Sequence, residues 1–383
     1  MRDSAMAPVA LQPIPLIDLP APRARVGAKI EAAIGRVLAH GQYIMGPEVA
    51  EVERRLSAHC GARHVIGCAS GTDALVMGLM AMDVGRGDAV FVPSFTFTAT
   101  AEAAALVGAT PVFVDVHPGT YNMDAASLAR AIGTAQQTGL RPTCVIPVDL
   151  FGQPADFDSI KAVADEHDLW ILDDAAQSYG AHYRGRALGT CADITATSFY
   201  PSKPLSCYGD GGALFTDDDE LAKRLVQIRV HGQSKDRNDV ARIGLTARLD
   251  SIQAAVLLEK LAIFDDECAA RAKVAARYDA ALSDAVSTPR VLDGCTSAWA
   301  HYTLTSPRRD RIVAALQAQN IGTAVFYAKP VHMQTPYRAF PIGAGGLSVT
   351  ERLAQEAMCL PMHPYLTTDA QDRVIAGVRA ALI

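Results

Sequence analysis

From about residue 60 to 216 the chain alternates short apolar runs with stretches whose apolar residues recur at helical spacing. "RHVIGCAS" is strand-like and precedes "GTDALVMGLMAM", where the helical period takes over. "DAVFVPS" leads to "ATAEAAALVGA", and "TPVFVDV" follows. "PTCVIPVDL" precedes "ADFDSIKAVADEHD", and "LWILDD", "DITATSF" and "GGALFT" close the series. Continuous β-rich runs mean strands covered on both faces, and the helices between them mean crossover connections. The pattern therefore predicts an α/β fold with a mainly parallel central sheet flanked by helices. Ligands of such sheets gather beyond the carboxyl ends of the strands, so the residues just after each strand are where chemistry is expected.

Beyond this series, "LDSIQAAVLLEKLAIFDDECAARAKVAARYDAAL" carries one apolar stripe through Ile252, Val256, Leu257, Leu261 and Phe264. It predicts a single long amphipathic helix joining two domains. "AHYTLTSP", "RIVAALQAQNIGTAVF" and a final helix after "PMHPYLTT" predict a smaller C-terminal α/β domain. The expected organisation is a flexible N-terminal arm over residues 1–15, a large domain over 16–265 and the smaller domain over 266–383.

Composition narrows the function. Half of the 383 residues are hydrophobic, ample for a large core and for more than one domain. A formal net charge of −6 offers no basic field to attract nucleic acid. No run approaches the roughly 18 uninterrupted apolar residues of a membrane span. The proline-rich start, "MRDSAMAPVALQPIPLIDLP", reads as a loose arm and not as a secretion signal. The eight cysteines make no C-x-x-C pair and no zinc spacing with histidine. No metal is expected, and the thiols read as small buried hydrophobes of a reducing cytoplasm.

Three strand ends carry unusual chemistry. In "CASGTDAL" a strand turns into a helix through Ser70, Gly71 and Thr72, leaving free backbone N–H groups at the helix N-terminus. That geometry binds phosphate, although an ordinary N-cap by Ser70 or Thr72 uses the same residues. In "LWILDDAAQSYGA" two carboxylates end a hydrophobic strand, with Gln177 one helical turn beyond Asp173. Asp174 is expected to be partly buried, so it needs a cation or strong donors to stay ionised, unless it caps a following helix. In "SFYPSKPLSCYGDGGA" Lys203 lies between Pro201 and Pro204, which stiffen its backbone, and just ahead of a glycine cluster. Burial lowers a lysine pKa and frees the amine to attack carbonyls. Ser198, five residues earlier, can aim a hydroxyl at the same crevice.

An anion cradle, a carboxylate and a desolvated lysine, in that order along one sheet edge, meet the needs of pyridoxal 5'-phosphate (PLP). It requires a phosphate site, a partner for its ring nitrogen and an imine-forming amine. A nicotinamide enzyme would want G-x-G-x-x-G after the first strand, which "ASGTDAL" does not provide. The chain resembles the DegT/DnrJ/EryC1/StrS family of sugar aminotransferases, within the fold-type I PLP enzymes. The likeness is carried by "HGQYIMGPEV", "SGTDAL", "PSFTFTAT", "DDAAQSYGA", "SFYPSKPLSCYGDGGA", "RLDSIQAA" and "LPMHPYL", in family order.

The resemblance implies roles for the matching positions. Lys203 corresponds to the imine-forming lysine and proton shuttle, Asp174 to the partner of the ring nitrogen, and Gln177 to an amide near the ring hydroxyl. Gly71, Thr72 and Ser198 match phosphate contacts, and Phe97 an aromatic stacked on the ring. Tyr43, Arg248, Tyr327 and His332 match substrate contacts. The family usually reads Asn-x-Arg before "QAA", the asparagine reaching a neighbouring subunit's cofactor phosphate. Here the triplet is Thr246-Ala247-Arg248, and a threonine hydroxyl offers one donor where an amide offers two.

The implied reaction moves an amino group from an amino acid, glutamate foremost, to a keto-sugar nucleotide. The resemblance is greatest to members acting on a UDP-3-keto-N-acetylhexosamine or its uronic acid for surface polysaccharide or lipopolysaccharide synthesis. A C4-keto sugar is the alternative. A cytoplasmic homodimer with active sites at the subunit interface is implied too. A net-acidic protein needs local positive charge to hold a diphosphate. "RVHGQSKDRNDVAR" offers Arg229, Lys235, Arg237 and Arg242, mixed with Asp236 and Asp239 in what reads as a solvated loop. Retention of Lys203 argues against a non-catalytic regulator on the same fold.

Overall fold

A computed structural model describes residues 12–383, apart from 235 and 237. Helices α1 (Arg23–His40) and α2 (Pro47–Cys60) come first, each closed by a glycine, Gly41 and Gly61, in the left-handed conformation. Then follow β1 (His64–Cys68), α3 (Gly71–Ala81), β2 (Asp88–Pro93), α4 (Ala99–Leu106) and β3 (Thr110–Val114). Next come α5 (Ala125–Gln137), β4 (Arg141–Val145), α6 (Phe157–Glu166) and β5 (Trp170–Asp174). A two-residue hairpin, β6 (His182–Tyr183) and β7 (Arg186–Ala187), leads to β8 (Ile194–Ser198), β9 (Gly212–Thr216) and α7 (Asp219–Ile228).

Seven of these strands form one sheet in the order β1-β9-β8-β5-β4-β2-β3. The neighbours from β8 to β3 are parallel, and β9 is antiparallel to both β8 and β1, so β9 alone is reversed. The central sheet is thus mainly parallel, as the apolar runs predict. All six residues of β2 are buried. Val90 and Val92 point into a layer with α3, α4 and α7, while Ala89 and Phe91 point into one with α5 and α6. A third cluster packs α1, α2 and a later helix, α8 (Ser251–Leu261), against Val65, Ala213 and Phe215 at the β1/β9 end.

The expected single connector is two helices. After α8 comes α9 (Phe264–Leu282), and Ile263 leaves helical geometry with φ −116° and ψ 4°. Asp265, Asp266 and Glu267 fill the first turn of α9, where acidic side chains stabilise a helix start. The apolar stripe hides the break because Leu257 and Phe264 still reach one core across it. The division expected at residue 265 falls within the first turn of α9.

The C-terminal part contains β10 (Tyr302–Thr305), α10 (Arg309–Gln317), α11 (Ser348–Glu356), β11 (Ala357–Leu360) and α12 (Thr368–Leu382). Strands β10 and β11 pair antiparallel, and α9, α10 and α12 pack around them. Of the expected N-terminal arm, residues 1–11 lie outside the described residues. Ile14 is buried in this C-terminal cluster and bridges to Ile321. Residues 331–347 return to the large sheet: Val331, Tyr337 and Leu347 join its first apolar layer, and the Phe113 N–H donates to the Pro341 carbonyl at 3.0 Å. Among the described residues no helix is long and apolar enough to cross a membrane.

Candidate active site

The carboxyl ends of β1, β2, β5 and β8 and the start of the reversed β9 meet at one edge of the sheet. There β1 turns into α3. Ser70 caps the helix, its Oγ accepting the Asp73 N–H at 3.0 Å, as the capping alternative expects. The N–H groups of Gly71 and Thr72, the first two helical residues, have no intrahelical acceptor. Gly71 lies against the end of β8 so closely that a Cβ on it would come within 2.7 Å of the Ser198 Cβ. A Cβ on Gly212, where β9 begins, would come within 2.6 Å of the Ser70 carbonyl oxygen. Two glycines therefore let three strand ends converge on the helix N-terminus. The result is a cradle for an anion.

Asp174 ends β5 and is buried. Its Oδ2 accepts the Thr100 hydroxyl at 2.8 Å, and its Oδ1 accepts the Ala176 N–H at 3.2 Å. Loss of solvation raises its pKa, opposed by those two donors and by the charge of Lys203. Lys203 is shifted the other way, down from the ordinary lysine value by burial, with Asp174 as the opposing influence. Each group is near enough for its charge to act on the other. Its backbone N–H donates to the Tyr200 carbonyl at 2.8 Å, which fixes the Pro201–Pro204 turn. A buried amine depressed in this way is a nucleophile and a proton carrier.

The residues after β5 form a series of turns and not the helix that the Asp173 to Gln177 spacing suggests. Gln177 still faces the crevice wall: its Oε1 accepts the Phe151 N–H at 2.7 Å, and its side chain meets the Tyr327 hydroxyl. Tyr327 packs edge-on to Phe95 with ring centroids 6.0 Å apart. Behind Asp174, Asp149 and Asp173 are also buried, and loss of solvation raises both. Asp149 accepts the Ala155 N–H at 2.6 Å and the Ser178 hydroxyl at 2.9 Å, and its pKa is pushed up to about 7.

Not every expected residue joins this cluster. Phe97 lies between β2 and α4 and is 57% exposed. Tyr43 is half exposed, on a turn tied to α8 by the Ser251 N–H donating to its carbonyl. Arg248 makes no hydrogen bond or ion pair among the described residues and follows the fully buried Ala247. Thr246 is exposed, and its hydroxyl pairs with His231 Nε2 at 2.8 Å. His332 is otherwise engaged: Nδ1 meets the Ser94 hydroxyl at 2.7 Å and Nε2 lies 3.5 Å from Glu351. Arg229 is also unavailable to a diphosphate, because it is 5% exposed and paired with Glu53 at 2.5 Å. Lys235 and Arg237 lie outside the described residues.

The model of the DegT/DnrJ/EryC1/StrS aminotransferase family matches residues 25–379. The chain belongs to this family. It is 48% identical over 366 residues to the UDP-2-acetamido-2-deoxy-3-oxo-D-glucuronate aminotransferase of Pseudomonas aeruginosa, an alignment covering 95% of this chain and 99% of that one. A DegT/DnrJ/EryC1/StrS aminotransferase from Brucella abortus superimposes with a TM-score of 0.94 at 51% identity, covering 96% of this chain and 99% of the other. DesV from Streptomyces venezuelae, solved in complex with a ketimine intermediate, gives 0.91 at 38% identity, covering 96% and 98%.

Aminotransferases of this family depend on PLP. The residues present fit that group. The cradle at Gly71 and Ser198 has room for a phosphate only because a Cβ is missing. Asp174 is a buried carboxylate whose nearest opposite charge is one lysine, and a protonated ring nitrogen would relieve its desolvation. Thr100, Asp149 and His301 escaped the reading of the sequence. Thr100 lies inside the quoted "PSFTFTAT" but 74 positions from Asp174, a separation that no local pattern reports.

Proposed function

We propose that the protein transfers an amino group from an amino acid, glutamate foremost, to a keto-sugar nucleotide. The acceptor we favour is a UDP-3-keto-N-acetylhexosamine or its uronic acid, a substrate of the kind in the name of the 48%-identical Pseudomonas relative. The observation that carries the reading is the buried Asp174, with half-buried Lys203 near enough for each charge to act on the other, beside the Gly71–Ser198 cradle.

The free N–H groups of Gly71 and Thr72, with the Ser198 hydroxyl, hold the phosphate. Asp174, steadied by Thr100, keeps the ring nitrogen protonated. Gln177, positioned by Phe151 and Tyr327, offers its amide near the ring hydroxyl. PLP, when bound, supplies an aldehyde that carries the amino group and a ring that takes up electron density. Lys203 Nζ, its pKa lowered by burial, takes a proton from the α-carbon of the amino donor and later delivers one to the carbon that receives the amine. Arg248, without a side-chain partner among the described residues, is a cation available to an anionic group of the substrate, with Tyr43 close to the start of α8.

The assembly we favour is a cytoplasmic homodimer with shared active sites. Tyr43, Ile44, Met45 and Tyr208 are 41–50% exposed and flank the start of α8, an apolar surface suited to a second copy. The eight free cysteines suit a reducing compartment. Thr246 and Phe97, both exposed, are the residues a partner subunit would cover. In the decisive assay, PLP-loaded protein is mixed with glutamate and then with a panel of UDP-linked 3-keto and 4-keto sugars, with and without a C6 carboxylate. Glutamate is expected to bleach the yellow form and a 3-keto sugar to restore it. Restoration by 4-keto sugars alone would overturn the substrate assignment, and an unbleached enzyme would overturn the reaction.

A further inference from the structure

We propose that His301 is a specificity-determining residue of the crevice, and that its imidazole hydrogen-bonds a hydroxyl or amide group on the acceptor's sugar ring. The inference rests on the aminotransferase reading and adds a contact to it.

His301 immediately precedes β10, yet it is fastened to the large sheet: its backbone N–H donates to the Phe151 carbonyl at 3.2 Å. Its ring stands edge-on to Phe151 at 6.0 Å and to Phe326 at 4.9 Å. Both neighbours belong to the crevice wall. Phe151 donates its N–H to Gln177, and Phe326 packs on Tyr327 with centroids 5.6 Å apart. Lys203 is near enough for its charge to act on the imidazole.

The residue is only 9% exposed, yet neither ring nitrogen has a hydrogen-bond partner among the described residues. Neither is sealed in the protein, in contrast to both nitrogens of His363. What is left open on His301 is therefore its polar edge, in a wall it shares through Phe151 and Phe326 with Gln177 and Tyr327. Burial and the neighbouring lysine push its pKa down to about 3, so the ring is neutral at working pH. A neutral imidazole has one donor and one acceptor. Carboxylates of an amino donor and phosphates of a nucleotide want cations, whereas hydroxyl and amide groups match an uncharged donor–acceptor pair. Two aromatic rings beside it add apolar surface for the C–H groups of a sugar.

The test uses PLP-loaded enzyme carrying His301→Leu or His301→Gln. Four quantities are read: the rate of the donor half-reaction with glutamate, kcat and KM for the keto-sugar nucleotide, and the Kd of the amino-sugar nucleotide by calorimetry. His301→Leu is expected to raise KM and Kd about tenfold, the worth of one neutral hydrogen bond, and to leave the donor half-reaction within about threefold. Glutamine restores a donor and an acceptor, so His301→Gln should recover most of that loss. Unchanged sugar binding in His301→Leu overturns the inference. Equal defects in the two variants also overturn it, because they would mark a packing role, as does a donor half-reaction that falls as far as the sugar step. A wild-type enzyme that glutamate fails to bleach instead sinks the aminotransferase reading itself.

Discussion

Gly71→Ala is the sharpest probe of the cradle. The added methyl would lie 2.7 Å from the Ser198 Cβ, 3.2 Å from its Oγ and 3.3 Å from its Cα. Carbon atoms in contact settle at about 3.5–4.0 Å, so α3 and the end of β8 must part by roughly 1 Å. Overpacking of this kind costs about 1–3 kcal/mol. The displacement falls on the N–H groups that hold phosphate, so most of the cost should appear as lost affinity, about 5- to 150-fold in Kd. Pyridoxamine 5'-phosphate is the ligand to use, because it forms no imine with Lys203 and reports noncovalent binding, with the ring contacts the same in every variant compared. Quenching of protein fluorescence on titration gives the Kd. Ser198→Gly removes the Cβ and Oγ that the methyl strikes, so the double variant should bind nearly as well as Ser198→Gly alone, a large coupling between the two sites. Gly71→Ala binding like wild type, or a defect undiminished in the Ser198→Gly background, would refute the reasoning.

Asp174→Asn keeps the shape of the side chain and an acceptor for Thr100 but removes the charge at the ring nitrogen. It should still bind PLP and turn over at least about 100-fold more slowly by steady-state assay; activity within a fewfold of wild type would contradict the role. Asp149 stays protonated in the folded chain up to about pH 7, while in the unfolded chain it ionises from 3.8 upward. Ionisation therefore favours the unfolded state across that window, and the stability this group contributes falls as pH rises through it, then levels off. Asp149→Asn, which can still accept from Ala155 and contact Ser178, should make the pH dependence of urea unfolding from pH 4 to 8 shallower, the remainder belonging to Asp173 and Asp174. A slope unchanged by the substitution would show that the burial energetics are misassigned.

Much of the fold is legible because its signals are local. Continuous apolar runs marked the strands, and the helical period marked what joins them, enough for a mainly parallel sheet. Residues beyond strand ends were conspicuous for the same reason: a lysine between two prolines and two aspartates closing an apolar strand are each readable in a few letters. What the letters lack is pairing across distance. The reversed direction of β9 depends on its partners β1 and β8, and nothing inside "GGALFT" reports it. The break at Ile263 is invisible to apolar spacing because Leu257 and Phe264 serve the same core on either side of it. His332 matches a substrate contact by resemblance, and nothing near it in the sequence reports that the Ser94 hydroxyl, 238 positions away, meets its ring. Thr100 and His301 acquire meaning only once the sheet brings them to Asp174 and Phe151.

The core of the account is that one particular amine reacts with the cofactor. Borohydride reduction of the PLP-loaded protein, followed by peptide mass mapping, fixes the carbonyl-derived group to whichever nitrogen held it. A single pyridoxyl group on Lys203 is the predicted result. Label on Lys260, a buried lysine whose pKa is also lowered by burial, or no label at all, would contradict it.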